Sequence, residues 1–376
     1  MMDINYDKGI MNFGDNRRLE NAMLKAMSGE AVTVGFLGGS ITQGCLSSVP
    51  ETCYAYLVYS WWKEKFPKSS VTYINAGIGG TPSDFGVARV EDDLLRFKPD
   101  FVIVEFSVND ENTFHYMETY EGLVRHILKF SSDLSLMLVH NVKYDDMSSA
   151  EDKHLIIGKY YDLPDVSMKH TLYPLVASGS VDALEVTKDY LHPNDLGHSI
   201  LAKLIINYLE KVYENASNIK EPHKIDTALF KPLTLNDYEN GARLNNLNSK
   251  PVINGFKPDE SPQSHITEIF RHGYTSWKEG DRITFTASCS AICVQYRKSV
   301  NKPAPIALAI VDGDEDNAVV LDANFDEDWG DCLYTQLICE RLERKEHSIE
   351  IKIVADHSKE KEKDAVAFYL VSVIAY

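Results

Sequence analysis

The sequence predicts a three-layer α/β/α domain built on a parallel sheet, followed by a β-sandwich domain. Three observations predict it. Short apolar, β-branched runs alternate with helical stretches over the first 220 residues; beyond residue 250 the pattern changes to period-two alternation; and a segment containing several Asn, Pro and Lys residues, without helical periodicity, separates the two.

The strands of the first part are predicted over 32–36, 71–75, 101–106 and 135–140, each short and apolar, as parallel strands covered on both faces tend to be. Helices are predicted between them, over 54–66 and 85–97, and over 195–213. In the last, Leu196, Ile200, Leu201, Leu204, Ile205, Leu209 and Val212 form one apolar stripe. The first domain is assigned to 1–220, a linker to 221–250 with the boundary near Glu221, and the second domain to 251–376. In that second domain, alternating segments over 282–286, 291–296, 307–311, 348–353 and 367–371 predict strands of a jelly-roll-like β-sandwich. Lys359 to Asp364 reads as a solvated loop, and no internal repeat is found.

At 376 residues, 44% hydrophobic and 25% charged, the chain is long enough for two cores. Its net charge of -18 excludes a nucleic-acid-backbone binder and a binder of anionic membranes. No segment approaches transmembrane length, and the start, Met1 to Asp7, lacks a secretory pattern, so a cytoplasmic location is expected. The six cysteines (45, 53, 289, 293, 332 and 339) form no paired zinc spacing, which argues against a metal held by thiolates and predicts packed free thiols; no metal is expected. The oligomeric state, including a homo-oligomer, is left open.

The chemistry concentrates in a few short runs. Gly38-Gly39-Ser40-Ile41-Thr42-Gln43-Gly44 follows the first strand and sets one serine among glycines, where it can serve as a nucleophile. A serine hydroxyl needs a base, and Asp189-Tyr190-Leu191-His192-Pro193 offers an imidazole with a carboxylate three residues earlier to fix its tautomer. Attack on an ester makes an oxyanion, for which the Ser40 N–H, an N–H of the Gly77 to Thr81 turn and the Asn109 amide are the available donors. No Gly-Lys-Ser/Thr follows to make a P-loop, and Thr42 stands where a nucleophile elbow has its second glycine. Taken singly, Ser40, Asp189 and Asn109 also fit turn residues, and His192 a helix-capping or packed histidine.

Four blocks together resemble the SGNH hydrolases, also called GDSL-type esterases: Gly38 to Thr42, Asn75 to Thr81, Ser107 to Asp110 and Asp189 to Asn194. The resemblance implies a catalytic triad of Ser40, Asp189 and His192, and an oxyanion hole of Ser40, Gly80 and Asn109, with Gly79 the alternative to Gly80. Two positions depart from the family pattern: the usual Gly-Asp-Ser reads Gly38-Gly39-Ser40, and the usual glycine two positions before the asparagine is Ser107. The Gly-Gly-Ser form resembles carbohydrate-acting acetyl esterases. With a sandwich following, the whole is similar to acetyl-mannan esterases of carbohydrate esterase family 17 with a family 35 binding module. That implies removal of O-acetyl groups from acetylated oligosaccharides, manno-oligosaccharides first and xylo-oligosaccharides next. Ester hydrolysis at a serine requires no cofactor, and none is expected.

Asp110, Glu111, Asn112 and His115 read as either cleft lining or a solvated loop. Trp277 and Trp329, with Tyr274 and Tyr296, offer flat faces to sugar rings or pack in the core, and Asp312, Asp314, Glu315 and Asp316 read as an acidic surface turn in preference to a set of oxygen ligands for calcium. The alternatives are a lipase, lysophospholipase or thioesterase with the same triad, and a non-catalytic sugar-binding protein.

Overall fold

The computed structural model describes residues 2–225, 231–355 and 365–376, so the 359–364 loop expectation lies outside the described residues. The chain forms two compact units, Met1–Glu239 and Asn240–Tyr376. The division falls later than the Glu221 boundary expected from composition. The reason is a return segment: the carboxylate of Glu121 accepts the N–H groups of Leu233 and Thr234 (2.6 and 2.7 Å), Glu118 accepts that of Asp237 (2.9 Å), and Arg125 donates to Glu239 (2.8 Å). Residues 231–239 are thereby part of the first unit, although their composition resembles a linker.

The first unit contains strands β1 (Ile10–Asn12), β2 (Val32–Gly38), β3 (Val71–Gly77), β4 (Phe101–Glu105), β5 (Ser135–His140) and β6 (Asp165–Ser167). Its helices are α1 (Arg17–Met27), α2 (Ser40–Gln43), α3 (Tyr54–Lys65), α4 (Ser83–Asp93), α5 (Phe114–Phe130), α6 (Glu151–Tyr160), α7 (Tyr173–Ala177), α8 (Ala183–Val186) and α9 (Asp195–Ala216). The sheet order is β1-β6-β5-β4-β2-β3, parallel except for the antiparallel pairing of β1 on β6. Every residue of β4 is buried because both faces are covered. Phe101 and Ile103 join the core formed with α1, α3 and α9, while the layer of α4, α5 and α6 packs as a second set of neighbouring helices.

The chain leaves β2 for β3 on one side and then crosses to β4 on the other, which makes the carboxyl end of β2 the point where strand order reverses. Open α/β sheets gather ligands there. Register sharpens the point, because Gly38 pairs with Gly77 on one side and Glu105 on the other. Three loops therefore begin side by side.

The second unit is antiparallel throughout its named strands. These are β7 (Ala242–Leu244), β8 (Val252–Asn254), β9 (Lys257–Pro258), β10 (Tyr274–Ser276), β11 (Arg282–Cys289), β12 (Ile292–Lys298), β13 (Ile306–Val311), β14 (Val319–Asp322), β15 (Cys332–Cys339), β16 (Lys345–Ala355) and β17 (Phe368–Ala375). One sheet runs β15-β12-β17-β10-β9 with β7 also on β17, and the other runs β14-β13-β16-β11-β8. Their inner residues, including Ile283, Phe285, Ile349 and Ile351 from one sheet and Val294, Tyr296, Phe368 and Leu370 from the other, form one core. Tyr274 and Tyr296 belong to that core, so they present no face to a sugar. In the acidic turn, Asp312 is held by His347 (2.7 Å), Asp314 by Asn317 (2.8 Å) and Glu315 by Lys352 (3.3 Å).

Candidate active site

Ser40 opens α2 directly after β2, with Gly39 as its N-cap and Gly44, left-handed at φ 100°, as its C-cap. A Cβ at Gly39 would lie 2.0 Å from Asn109 Oδ1, so a larger residue there would displace the Asn109 amide. This close approach also sets that amide against the peptide that carries the nucleophile.

The Ser40 Oγ lies 2.8 Å from His192 Nε2, and His192 Nδ1 lies 2.6 Å from Asp189 Oδ2. Asp189 Oδ1 accepts the backbone N–H groups of His192 (2.7 Å) and Leu191 (3.1 Å), so the carboxylate orients the loop as well as the ring. Burial opposes its ionisation, but the bonds from His192 and Leu191 prevail and hold Asp189 below the ordinary carboxylate range. Asn194 then caps α9 by accepting from Leu196 and Gly197 (3.0 and 3.1 Å), which fixes where the histidine loop ends. With Nδ1–H given to Asp189, Nε2 is left to accept the serine proton.

The segment after β3 is tied to α2. Asn75 donates to Thr42 O (2.8 Å), Ile78 N–H to Gly38 O (3.0 Å) and Gly79 N–H to Gln43 Oε1 (2.6 Å). Gly79 thus spends its N–H on Gln43. Gly80, at φ +68°, has open space around it and an N–H without an acceptor among the described residues. Beneath both strand ends, buried Arg89 donates to Ala76 O (2.7 Å) and Gly38 O (3.1 Å) and pairs with Asp93 (3.1 Å). Burial lowers its pKa while Asp93 raises it. One guanidinium therefore fastens the ends of β2 and β3 together.

After β4, Ser107 replaces a glycine for a visible reason: its hydroxyl donates to Asn141 O (3.0 Å) and accepts from Asn141 N–H (2.7 Å), joining the β4 and β5 loops. Asn109 follows, with its buried Oδ1 unpartnered among the described residues. Asp110 is among the residues that line the cleft, with its carboxylate buried. Oδ1 accepts from Ser83 N–H (2.8 Å) and Oδ2 meets His154 Nε2 (3.0 Å). His154 in turn stacks on Tyr120 at 3.6 Å between ring centroids. Burial pushes Asp84, Glu105 and Asp110 up to about 7 and pushes His154 well below its ordinary value.

His115 packs edge-on against Tyr116 and Tyr238, with its Nδ1 3.3 Å from the Tyr238 hydroxyl, so it is engaged by its own unit's wall. Trp277 and Trp329 lie in the second unit, both exposed, with Trp329 held by Glu327 and edge-on to Phe325. A cleft of about 560 Å³ begins at Asn109 and is lined by Lys143, Met147, Ser149, Asp152 and Lys169 among others. Lys169 sits 3.9 Å from both Glu151 and Asp152 in that wall.

Sequence reasoning missed Gln43, Arg89 and His154. Each acts through a contact distant in sequence, which even Gln43, inside the 38–44 run, does not disclose locally. Among the described residues no cluster of His, Cys, Asp or Glu is placed to hold a metal, and no helix is long and apolar enough to cross a membrane.

Residues 36–200 match the model of the GDSL-like lipase/acylhydrolase family. Among solved structures, the chain is 50% identical to a two-domain esterase, CEX, active on acetylated mannans, over 99% of this chain and 98% of that one, with a TM-score of 0.94. The same esterase co-crystallised with mannopentaose gives 50% identity over 100% and 98%, with a TM-score of 0.93. Axe2, an acetylxylan esterase from Geobacillus stearothermophilus, is 21% identical over 47% of this chain and 94% of its own, with a TM-score of 0.39. No match was found among the curated proteins. A serine, histidine and aspartate in hydrogen-bonded series at a strand-order reversal, with half the residues shared with an esterase over nearly the whole length, lead to one conclusion: the chain belongs to the GDSL-like lipase/acylhydrolase family and is a carboxylic ester hydrolase.

Proposed function

We propose that the protein removes O-acetyl groups from acetylated oligosaccharides, mannose-based in preference to xylose-based. The observation that carries the proposal is the 2.8 Å approach of Ser40 Oγ to His192 Nε2, in a chain half identical to an esterase active on acetylated mannans. Ser40 Oγ attacks the acetyl carbonyl carbon as its proton passes to His192 Nε2. The resulting oxyanion is held by the N–H groups of Ser40 and Gly80 and by the Asn109 amide. Collapse breaks the bond to the sugar oxygen, which takes the proton from His192, and leaves acetyl-Ser40. Water, deprotonated by the same imidazole, then releases acetate. Asp189 keeps the imidazole oriented and stabilises its charged form.

The cleft beside Asn109 supports a polar substrate. Its lysines and carboxylate suit hydroxyl groups, whereas a lipase needs an apolar trough for the acyl chain. In the second unit, exposed Trp277 and Trp329 are proposed to stack on sugar rings. Acetate release from acetylated manno- and xylo-oligosaccharides, compared with p-nitrophenyl acetate and octanoate for the wild type and Ser40→Ala, tests the reading. Serine-dependent release, fastest from the mannose series, is expected; activity confined to the octanoyl ester would move the function to lipids.

A further inference from the structure

The proposed oxyanion donors stand on two separate loops, and nothing in the triad holds those loops to each other. Gly80 lies on the segment that leads through Pro82 into α4, whose first residue is Ser83. Asn109 lies on the turn after β4, where the N–H groups of Asn109 and Asp110 both bond Phe106 O (3.0 and 2.9 Å). One side chain spans the two loops. Asp110, next to Asn109, accepts the Ser83 N–H at 2.8 Å, three residues from Gly80. Its other oxygen meets His154 Nε2 at 3.0 Å, and that ring is buried flat against Tyr120.

We propose that Asp110, seated by His154, is a positioning residue that fixes the separation of the Gly80 and Asn109 oxyanion donors. The proposal rests on the oxyanion assignments above. Asp110 is only 6% exposed and uses both carboxylate oxygens inside the protein, so its effect is exerted through the donors and not on the substrate. His154 fits the seating part because it has one polar partner: Nδ1 is buried and unpartnered among the described residues, which leaves Nε2–H to donate to Asp110. A loop released by loss of this bridge misplaces a donor aimed at a transient charge, and an error near 1 Å in such a group costs on the order of 10²-fold in rate. Ground-state substrate binding is much less sensitive, because the full charge on that oxygen exists only after attack.

The test is steady-state hydrolysis of p-nitrophenyl acetate by the wild type, Asp110→Asn, His154→Phe and His154→Gln, with thermal unfolding measured for each. Asp110→Asn is expected to lower kcat by about 10- to 100-fold with little change in KM. His154→Phe, which keeps the stack on Tyr120 and removes the donor, should lower kcat less, and His154→Gln, which restores an N–H, should recover part of the loss. The double variant Asn109→Ala with Asp110→Asn should lose less than the product of the single losses, as expected for residues acting through one group. Wild-type kcat in folded Asp110→Asn, or a loss residing in KM, overturns the inference. If Asp110→Asn fails to fold, the His154 pair decides: equal kcat for His154→Phe and His154→Gln, both folded, overturns it. Unchanged kcat in Asn109→Ala would instead remove the oxyanion assignment beneath it, while a depressed Asn109→Ala beside an unchanged Asp110→Asn rejects this inference alone.

Discussion

Two Asp–His pairs of nearly equal length occupy opposite environments. Asp189 and His192 meet at 2.6 Å with side chains 45% and 20% exposed, whereas Asp110 and His154 meet at 3.0 Å with both side chains fully buried. Water around the first pair screens its charges, which suits the gain and loss of a proton in the proposed mechanism. Burial of the second raises the carboxyl, lowers the imidazole and leaves a hydrogen bond that does not need to change state. In the proposed mechanism the same two residue types serve as a base in one place and as a brace in the other.

The largest expected effect comes from breaking the exposed pair at its imidazole. His192→Ala is expected to lower kcat on p-nitrophenyl acetate by about 10³-fold or more while the fold persists, as thermal unfolding would report. Retained turnover would dissociate Ser40 from its base. Asp189→Asn sharpens the comparison, since the amide can still accept from Leu191 and His192 N–H but no longer stabilises an imidazolium. A loss of tens-fold in kcat is expected, roughly two orders smaller than for a fully buried triad aspartate because solvent screens this one. Its stability effect has a defined sign. Asp189 titrates below its unfolded value, so its contribution is present above the ordinary carboxylate pKa and disappears as pH falls through the folded value. The difference in unfolding temperature between wild type and Asp189→Asn should therefore close in acid.

The smallest effect belongs to the buried side. Asp84, at the start of α4, is pushed up to about 7, first by burial and then by Asp110. A raised carboxyl means that the folded chain binds the proton more tightly than the unfolded one, so stability declines as pH rises from about 4 to about 7 and is level above. Asp84→Asn removes that decline, and unfolding curves at pH 5 and pH 8 should lie closer together than those of the wild type. An unchanged pH 8 deficit would show that the penalty lies with Glu105 or Asp110 instead.

Much of this architecture was legible from the residues. Local signals sufficed for β2, β3, β4 and β5, whose runs are rich in apolar and β-branched residues, but not for the three-residue β1 and β6. Of the four quoted blocks, three stand at the ends of β2, β3 and β4, and the fourth, 189–194, lies between α8 and α9. Other features were not legible. Of β15 only Leu333 is buried, while the apolar Tyr334 and Leu337 are exposed to water and the rest is half-buried, so the sequence pattern does not declare it. The segment 231–239 looks like a linker because its anchors, Glu118, Glu121 and Arg125, belong to a helix more than a hundred positions earlier. The choice between Gly79 and Gly80 turns on where the Gln43 side chain goes, which no local pattern records. Asp110 lines the cleft beside Asn109, but its carboxylate is spent on Ser83 N–H and on His154 in another helix, which no local pattern records.

The distribution of indole rings has a practical consequence. Of four tryptophans, Trp61 and Trp62 are buried in α3, while Trp277 and Trp329 are in contact with water on the second unit. Intrinsic fluorescence should accordingly resolve into a blue component from the α/β unit and a red component from the sandwich. A soluble quencher reaches only the red one, a sugar bound to the sandwich perturbs it alone, and the melting of each unit can be followed by colour without any added label.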